Sequence, residues 1–205
     1  MMIAVGLDLE TTGLDYKDGH RIIEIALCAR NMTTGATIKD LVLRFNPRRE
    51  ISVKAYEVHG IKLSDLVTEP LFSAKSSMIA SILNNAAVVV AHNGLGFDKP
   101  FMEHEMALSG VKLRQDLIWL DTMLHGLWAT QDGKRPTLRE LAFSLGFEYD
   151  EEKAHGALYD TQLMMDCFFS ARKRYGLFQL PNEEEITADG WDDARAELSS
   201  VAGCF

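Results

Sequence analysis

Two acids, Asp8 and Glu10, close the first apolar run of the chain, MIAVGLDLE. In a strand, successive side chains alternate faces, so these two point the same way. Like charges side by side repel and raise each other's pKa, and fold stability gives no reason for the arrangement. A shared cation does. Two further acids sit at the ends of other core-like elements. Asp98 follows the apolar run AAVVVAH in AHNGLGFDKPFM, and Asp160 lies in AHGALYDTQLM together with His155. Oxygen ligands without cysteine or clustered histidine suit a hard ion, Mg²⁺ or Mn²⁺. Taken singly, an Asp after a strand is more often a cap or turn residue, and a lone His more often structural. Only the four acids and His155 together point to a metal site.

These acids need elements to carry them. Three strand-like segments come first, at about 2–9, 21–29 and 38–45, and the turn-rich connections TTGLDYKDGH and NMTTGAT favour antiparallel pairing. SVKAYEVHG reads as a short helix with Ser52 as N-cap and Gly60 as its stop. LFSAKSSMIASILNN has helical apolar spacing, AAVVVAH reads as a buried strand, and DKPFMEHEMALSG as a helix that tolerates Pro100 in its first turn. DLIWLDT is strand-like. TLRELAFSLG is a helix with Thr137 and Glu140 as a capping box, and a long final helix ends in basic residues and Gly176. Strands first and then alternating helices and strands predict an α/β fold, a mixed sheet with helices packed on it.

The chain has 205 residues, 47% of them hydrophobic, enough for one domain with a real core. No apolar run reaches the roughly 18–20 residues of a membrane span, and no signal peptide is expected, so no membrane partner is either. Cys28 and Cys167 sit in apolar patterns and read as reduced core residues, which suggests a cytoplasmic setting; Cys204 is unreadable. Trp119, Trp128 and Trp191 read as packing residues. The net charge is −9, but residues 181–205 hold seven acids against Arg195, which leaves only −3 on the body. That balance opposes an electrostatic grip on long duplexes, though a short strand end could be held if cations supplied the positive charge.

The segments DLETTG, NGLGFD and HGALYD resemble, in order, the three motifs of the DEDDh 3′→5′ exonuclease superfamily: D-x-E, Asn-x₂₋₃-Phe/Tyr-Asp and His-x₄-Asp. FNPRREISVKAYEVHGI, and Asp121-Thr122 followed by KRPTLRELAFSLG, are similar to segments of the epsilon-type proofreading subunits of bacterial DNA polymerase III. The resemblance implies an RNase H-like five-stranded mixed sheet flanked by helices, an exonuclease domain over 1–180, and an acidic C-terminal tail over 181–205. It further implies two divalent cations, Mg²⁺ or Mn²⁺. Asp8 would be shared between them, Glu10 and Asp160 would complete one site, Asp98 would hold the other, and His155 would be the general base. Thr11 and Thr12 would meet the terminal nucleotide, Leu14 would wedge against its base, and His59 would approach it. For Leu14 a core contact, and for His59 a helix C-cap, are equally open readings. Asn93 and Phe97 would position Asp98 and flank the substrate. The implied activity is 3′→5′ cleavage of DNA to nucleoside 5′-monophosphates. RNA ends or short oligonucleotides are the alternative substrate, which Thr11 opposes because the oligoribonuclease group has Met there. A non-catalytic binding module and a one-metal phosphatase are the rivals from other classes. A polymerase or another replication or repair protein is the implied partner, and the oligomeric state stays open.

Overall fold

A computed structural model describes residues 2–154 and 156–180; His155 and the whole of 181–205, including Trp191 and Cys204, lie outside the described residues. Five strands form one mixed sheet in the order β3-β2-β1-β4-β5. They are β1 (Ile3–Thr11), β2 (Ile22–Asn31), β3 (Thr37–Arg44), β4 (Val88–Ala91) and β5 (Trp119–Asp121). The first three pair antiparallel as the turn chemistry predicts, and β4 and β5 join in parallel on the other side of β1. Among the described residues six α-helices are, in chain order, α1 (Val53–His59), α2 (Leu63–Leu66), α3 (Ser76–Asn84), α4 (Asp98–Leu108), α5 (Leu138–Ser144) and α6 (Ala157–Tyr175).

The period of two along β1 divides the core. Val5, Leu7 and Leu9 pack with Ile79 and Leu83 of α3 and with Phe101, Met102 and Met106 of α4. On the opposite face, Ala4 packs with Leu141 of α5 and with Met164, Met165, Phe168 and Ala171 of α6. Each face thus buries a helical stripe, which is the arrangement that lets a half-apolar strand and an amphipathic helix satisfy one another. Cys28 and Cys167 are buried free thiols in the second of these cores, as their apolar surroundings predict.

The local end signals hold. Ser52 Oγ accepts from Ala55 N, Thr137 and Glu140 form a capping box, and Gly60 and Gly176 close α1 and α6 in the left-handed region. Boundaries shift where tertiary pairing overrides pattern. LFSAKSSMIASILNN splits into a 3₁₀ turn, Phe72–Ala74, and α3. The strand expected from DLIWLDT shrinks to three residues, because only Trp119, Leu120 and Asp121 find partners on β4. The brief helix α2 and the 3₁₀ turns at Tyr16–Asp18 and Leu127–Ala129 were not foreseen. Trp119 packs against the first core and Trp128 against Phe178, so both are packing residues. Among the described residues no helix is long and apolar enough to cross a membrane.

Candidate active site

Asp8 and Glu10 occupy the even-numbered face of β1, with Ala4 and Gly6, and this is the face that α6 covers. Gly6 sets how closely α6 lies: a Cβ there would overlap Met165 and the Thr161 methyl group. With Thr161 against Gly6, its neighbour Asp160, in the first turn of α6, comes beside the acidic end of β1. Asp98 arrives from the third direction. The loop after β4, the parallel neighbour of β1, turns through 92–97 and delivers Asp98 as the first residue of α4.

The electrostatics record this convergence. In the absence of a cation, the Asp8 carboxyl is held well above the ordinary range by burial and then by Asp98, Glu10 and Asp160. Glu10 is pushed up to about 8 by burial, Glu24, Asp160 and Asp98. Asp98, 2% exposed, is pushed up to about 8, chiefly by burial and also by Asp121, while backbone N–H groups of Asp98 itself and Leu9 pull the other way. Asp98 Oδ1 is buried without a hydrogen-bond partner. Four carboxylates from three separate chain segments therefore face one another, three of them reluctant to ionise together.

A hard divalent cation fits this donor set. All the donors are carboxylate oxygens, one of them buried and unpartnered, and the charge they would carry is what such an ion relieves. Among the described residues no group of three or more His, Cys, Asp or Glu side chains already forms a metal cage, so the fit rests on donor chemistry and charge.

The structure adds a fifth acid that sequence reasoning missed. Glu24 lies directly across β2 from Glu10, buried, with an ion pair to Arg44 at 2.5 Å. The pairing register changes immediately afterwards, between Glu10 and Thr11, and the chain leaves the sheet there. Thr11 Oγ1 donates to Gly13 O at 2.7 Å. Thr12 is fully buried: its N–H donates to Arg21 O, its carbonyl accepts from Ser52 N, and its hydroxyl accepts from Arg21 N and pairs with His20 Nδ1. The turn that follows the acids is thus tied both to β2 and to the cap of α1.

Leu14 is 80% exposed, which removes the core-contact reading. His59 ends α1; its Nδ1 accepts from Ile61 N, its ring also bonds the backbone of Thr11, and burial lowers its pKa. The His59-Gly60 pair does form the C-cap. Asn93 is exposed with φ 65°, and Phe97 packs on Phe101 with ring centroids 5.0 Å apart. Both stand on the loop that carries Asp98. His155 lies outside the described residues.

The family model described as Exonuclease, RNase_T, matches residues 5–168. The DNA polymerase III subunit epsilon of Rickettsia typhi is 29% identical over 186 residues, covering 86% of this chain and 79% of that protein. The Haemophilus influenzae epsilon subunit is 30% identical over 189 residues, 90% of this chain and 72% of its own. Among solved structures, Escherichia coli exonuclease I in complex with a dT13 oligonucleotide superposes with a TM-score of 0.71 at 16% identity, over 85% of this chain. The chain spans only 42% of that protein's length, and the likeness shows a shared fold.

Proposed function

Because the chain belongs to this exonuclease family, we propose that it hydrolyses nucleic acid, DNA in preference to RNA, from the 3′ end, releasing nucleoside 5′-monophosphates in a proofreading or repair setting. The observation that carries the reading is the convergence of Asp8, Glu10, Asp98 and Asp160: the charges of the other three all reach Asp8, and those of Asp98 and Asp160 also reach Glu10. Asp8, Glu10 and Asp160 would hold one divalent cation, and Asp8 with Asp98 a second. When bound, such ions stabilise the attacking and leaving oxygens of an in-line displacement.

The chain's own residues do the rest. His155 accepts the proton of the attacking water, a role suited to an imidazole whose unperturbed pKa is about 6.5. The turn at Thr11–Gly13, bonded to Arg21 and Ser52, offers a fixed floor for the terminal nucleotide. Leu14, exposed at the mouth, is free to press against the last base, and Phe97 flanks the approach beside Asp98. His59, whose ring bonds the backbone of Thr11, stands beside the same turn and would approach the same nucleotide. The epsilon relatives support a polymerase or repair protein as the physiological partner.

The test is digestion of sequence-matched DNA and RNA oligomers with Mg²⁺ and with Mn²⁺, with products resolved by chromatography. Faster release of deoxynucleoside 5′-monophosphates is expected. Equal or faster loss of RNA would assign the enzyme to RNA ends instead, and activity confined to small phosphomonoesters would sink the exonuclease reading.

A further inference from the structure

Asp121 ends β5 and is 1% exposed, yet it has no ion-pair partner among the described residues. Its carboxylate instead accepts four backbone N–H groups. Oδ1 takes those of Asn93 at 3.0 Å, Met123 at 2.9 Å and Leu124 at 3.2 Å, and Oδ2 takes that of Leu95 at 3.0 Å. Three of these bonds converge on Oδ1 and one on Oδ2, so both oxygens of Asp121 are committed to backbone N–H groups of the two segments it joins. We infer that Asp121 is a positioning residue: it fastens the loop 92–97 to the end of β5 and thereby sets where Asp98 stands.

The loop explains why such a clamp is needed. It contains Asn93 in the left-handed region, a conformation uncommon outside glycine, though asparagine adopts it more readily than most residues. Within itself the loop is stiff. Gly96 N and Phe97 N both donate to Asn93 O, and Lys99 N donates to Gly94 O, which couples the turn to the first residues of α4. A stiff turn that leads directly into Asp98 moves as a unit, and two of the four bonds at Asp121, those to Asn93 and Leu95, join that unit to the end of β5, beside the bond from Leu9 of β1 to the Asp98 carboxyl. Thr122 reinforces the joint: its N–H donates to Ala91 O, and its hydroxyl pairs with His92 Nδ1 at 2.9 Å. Gly94 lets the turn fold back, since a Cβ there would overlap the Ala91 methyl group. The negative charge of Asp121 also reaches Asp98 and adds to what raises its pKa.

The inference rests on the reading of Asp98 as a metal-holding acid, and the experiment separates the two. Mn²⁺ binding to the full chain is measured by calorimetry for the parent, Asp98→Ala, Asp121→Ala and the double variant, with amide hydrogen exchange followed over 92–98. Asp121→Ala should weaken Mn²⁺ binding by about 10–100-fold, the span seen when a group that orients a metal ligand is removed. Exchange at Asn93 and Leu95 should speed up, and Asp121→Ala should add nothing in the Asp98→Ala background. Asp121→Asn, which can keep the three bonds to one oxygen, should show faster exchange at Leu95 and a smaller loss of binding; it carries the test if the Ala variant fails to fold. Arg30→Met, which breaks a partly buried ion pair with Asp166 on α6, controls for general destabilisation and should leave both readouts unmoved. Parent-like Mn²⁺ binding in Asp121→Ala, or a full additional loss in the double variant, would overturn the inference. If Asp98→Ala itself binds Mn²⁺ normally, the metal reading is what fails, and unchanged exchange at Asn93 and Leu95 in Asp121→Ala would then overturn the clamp as well.

Discussion

Replacing Asp98 by Asn should stabilise the metal-free protein while abolishing its activity. The Asp98 carboxyl is held at about 8 in the fold against an ordinary value of 3.8, so between these values the native state binds more protons than the unfolded one. Stability contributed by this group is therefore fully present below pH 3.8 and is lost as pH rises towards about 8. At pH 7 the unfolded carboxyl is about 3 units past its midpoint, and at about 1.4 kcal/mol per unit the loss amounts to about 4 kcal/mol. An Asn at 98 cannot ionise and escapes that loss. Its amide NH₂ cannot accept a backbone N–H, as the carboxylate does from Asp98 itself and Leu9, and a bond lost there returns about 1–3 kcal/mol. The net gain is about 2 kcal/mol, or about 4–8 °C in melting temperature for a domain of this size. Thermal unfolding in EDTA at pH 7 and pH 4 reads it. The gain should be present at pH 7 and reversed at pH 4, close to the unfolded carboxyl's 3.8, where most of the ionisation loss is gone and the cost of the amide remains. A variant less stable than the parent at pH 7 would show that Asp98 is not under the strain described.

His155→Ala should lower turnover by about 10²–10⁴-fold and flatten the acid limb of the pH–rate profile while leaving Mn²⁺ binding intact by calorimetry; lost binding would make it a ligand instead. Gly6→Ala forces a methyl group into Met165 and Thr161, so α6 must move away from β1, with a cost of about 1–3 kcal/mol in urea unfolding and a fall in activity as Asp160 moves with it. An unchanged midpoint would mean that α6 does not depend on that close approach. Deleting 181–205, a segment of charge −6, should leave cleavage of short single-stranded oligomers unchanged, because an acidic segment adds nothing to a phosphate groove. Loss of that cleavage in a folded deletion variant would move the domain boundary past 180.

What was legible in the sequence was local. Strand alternation placed Asp8 and Glu10 on one face, and caps at Ser52, Thr137 and Gly176 marked helix ends, because each depends on residues within one turn or one strand. Three motifs in order pointed to Asp98 and Asp160, but the crossover that puts β4 beside β1, and the packing of α6 over Gly6, are tertiary facts that bring the acids together. Glu24 escaped notice because its place opposite Glu10 depends on hairpin register. Asp121 stood out only through the resemblance of Asp121-Thr122 to the epsilon-type subunits, without a role, because a carboxylate whose partners are backbone N–H groups as far as 28 residues away leaves no trace in composition or periodicity. A count of polar residues immediately after buried strands would have flagged it, without showing what it holds.

The central claim is that Asp8, Glu10, Asp98 and Asp160 hold cations that drive removal of nucleotides from a 3′ end. The most direct measurement follows one single-stranded DNA oligomer, labelled in separate reactions at the 5′ and at the 3′ end, with the parent and Asp8→Ala, in EDTA and in Mn²⁺. With the parent and Mn²⁺, the 5′ label should pass through a ladder of progressively shorter strands while the 3′ label appears at once as mononucleotide. EDTA or Asp8→Ala should leave both labels on full-length strand. Immediate release of the 5′ label as mononucleotide, or undiminished cleavage by Asp8→Ala or in EDTA, would contradict the account.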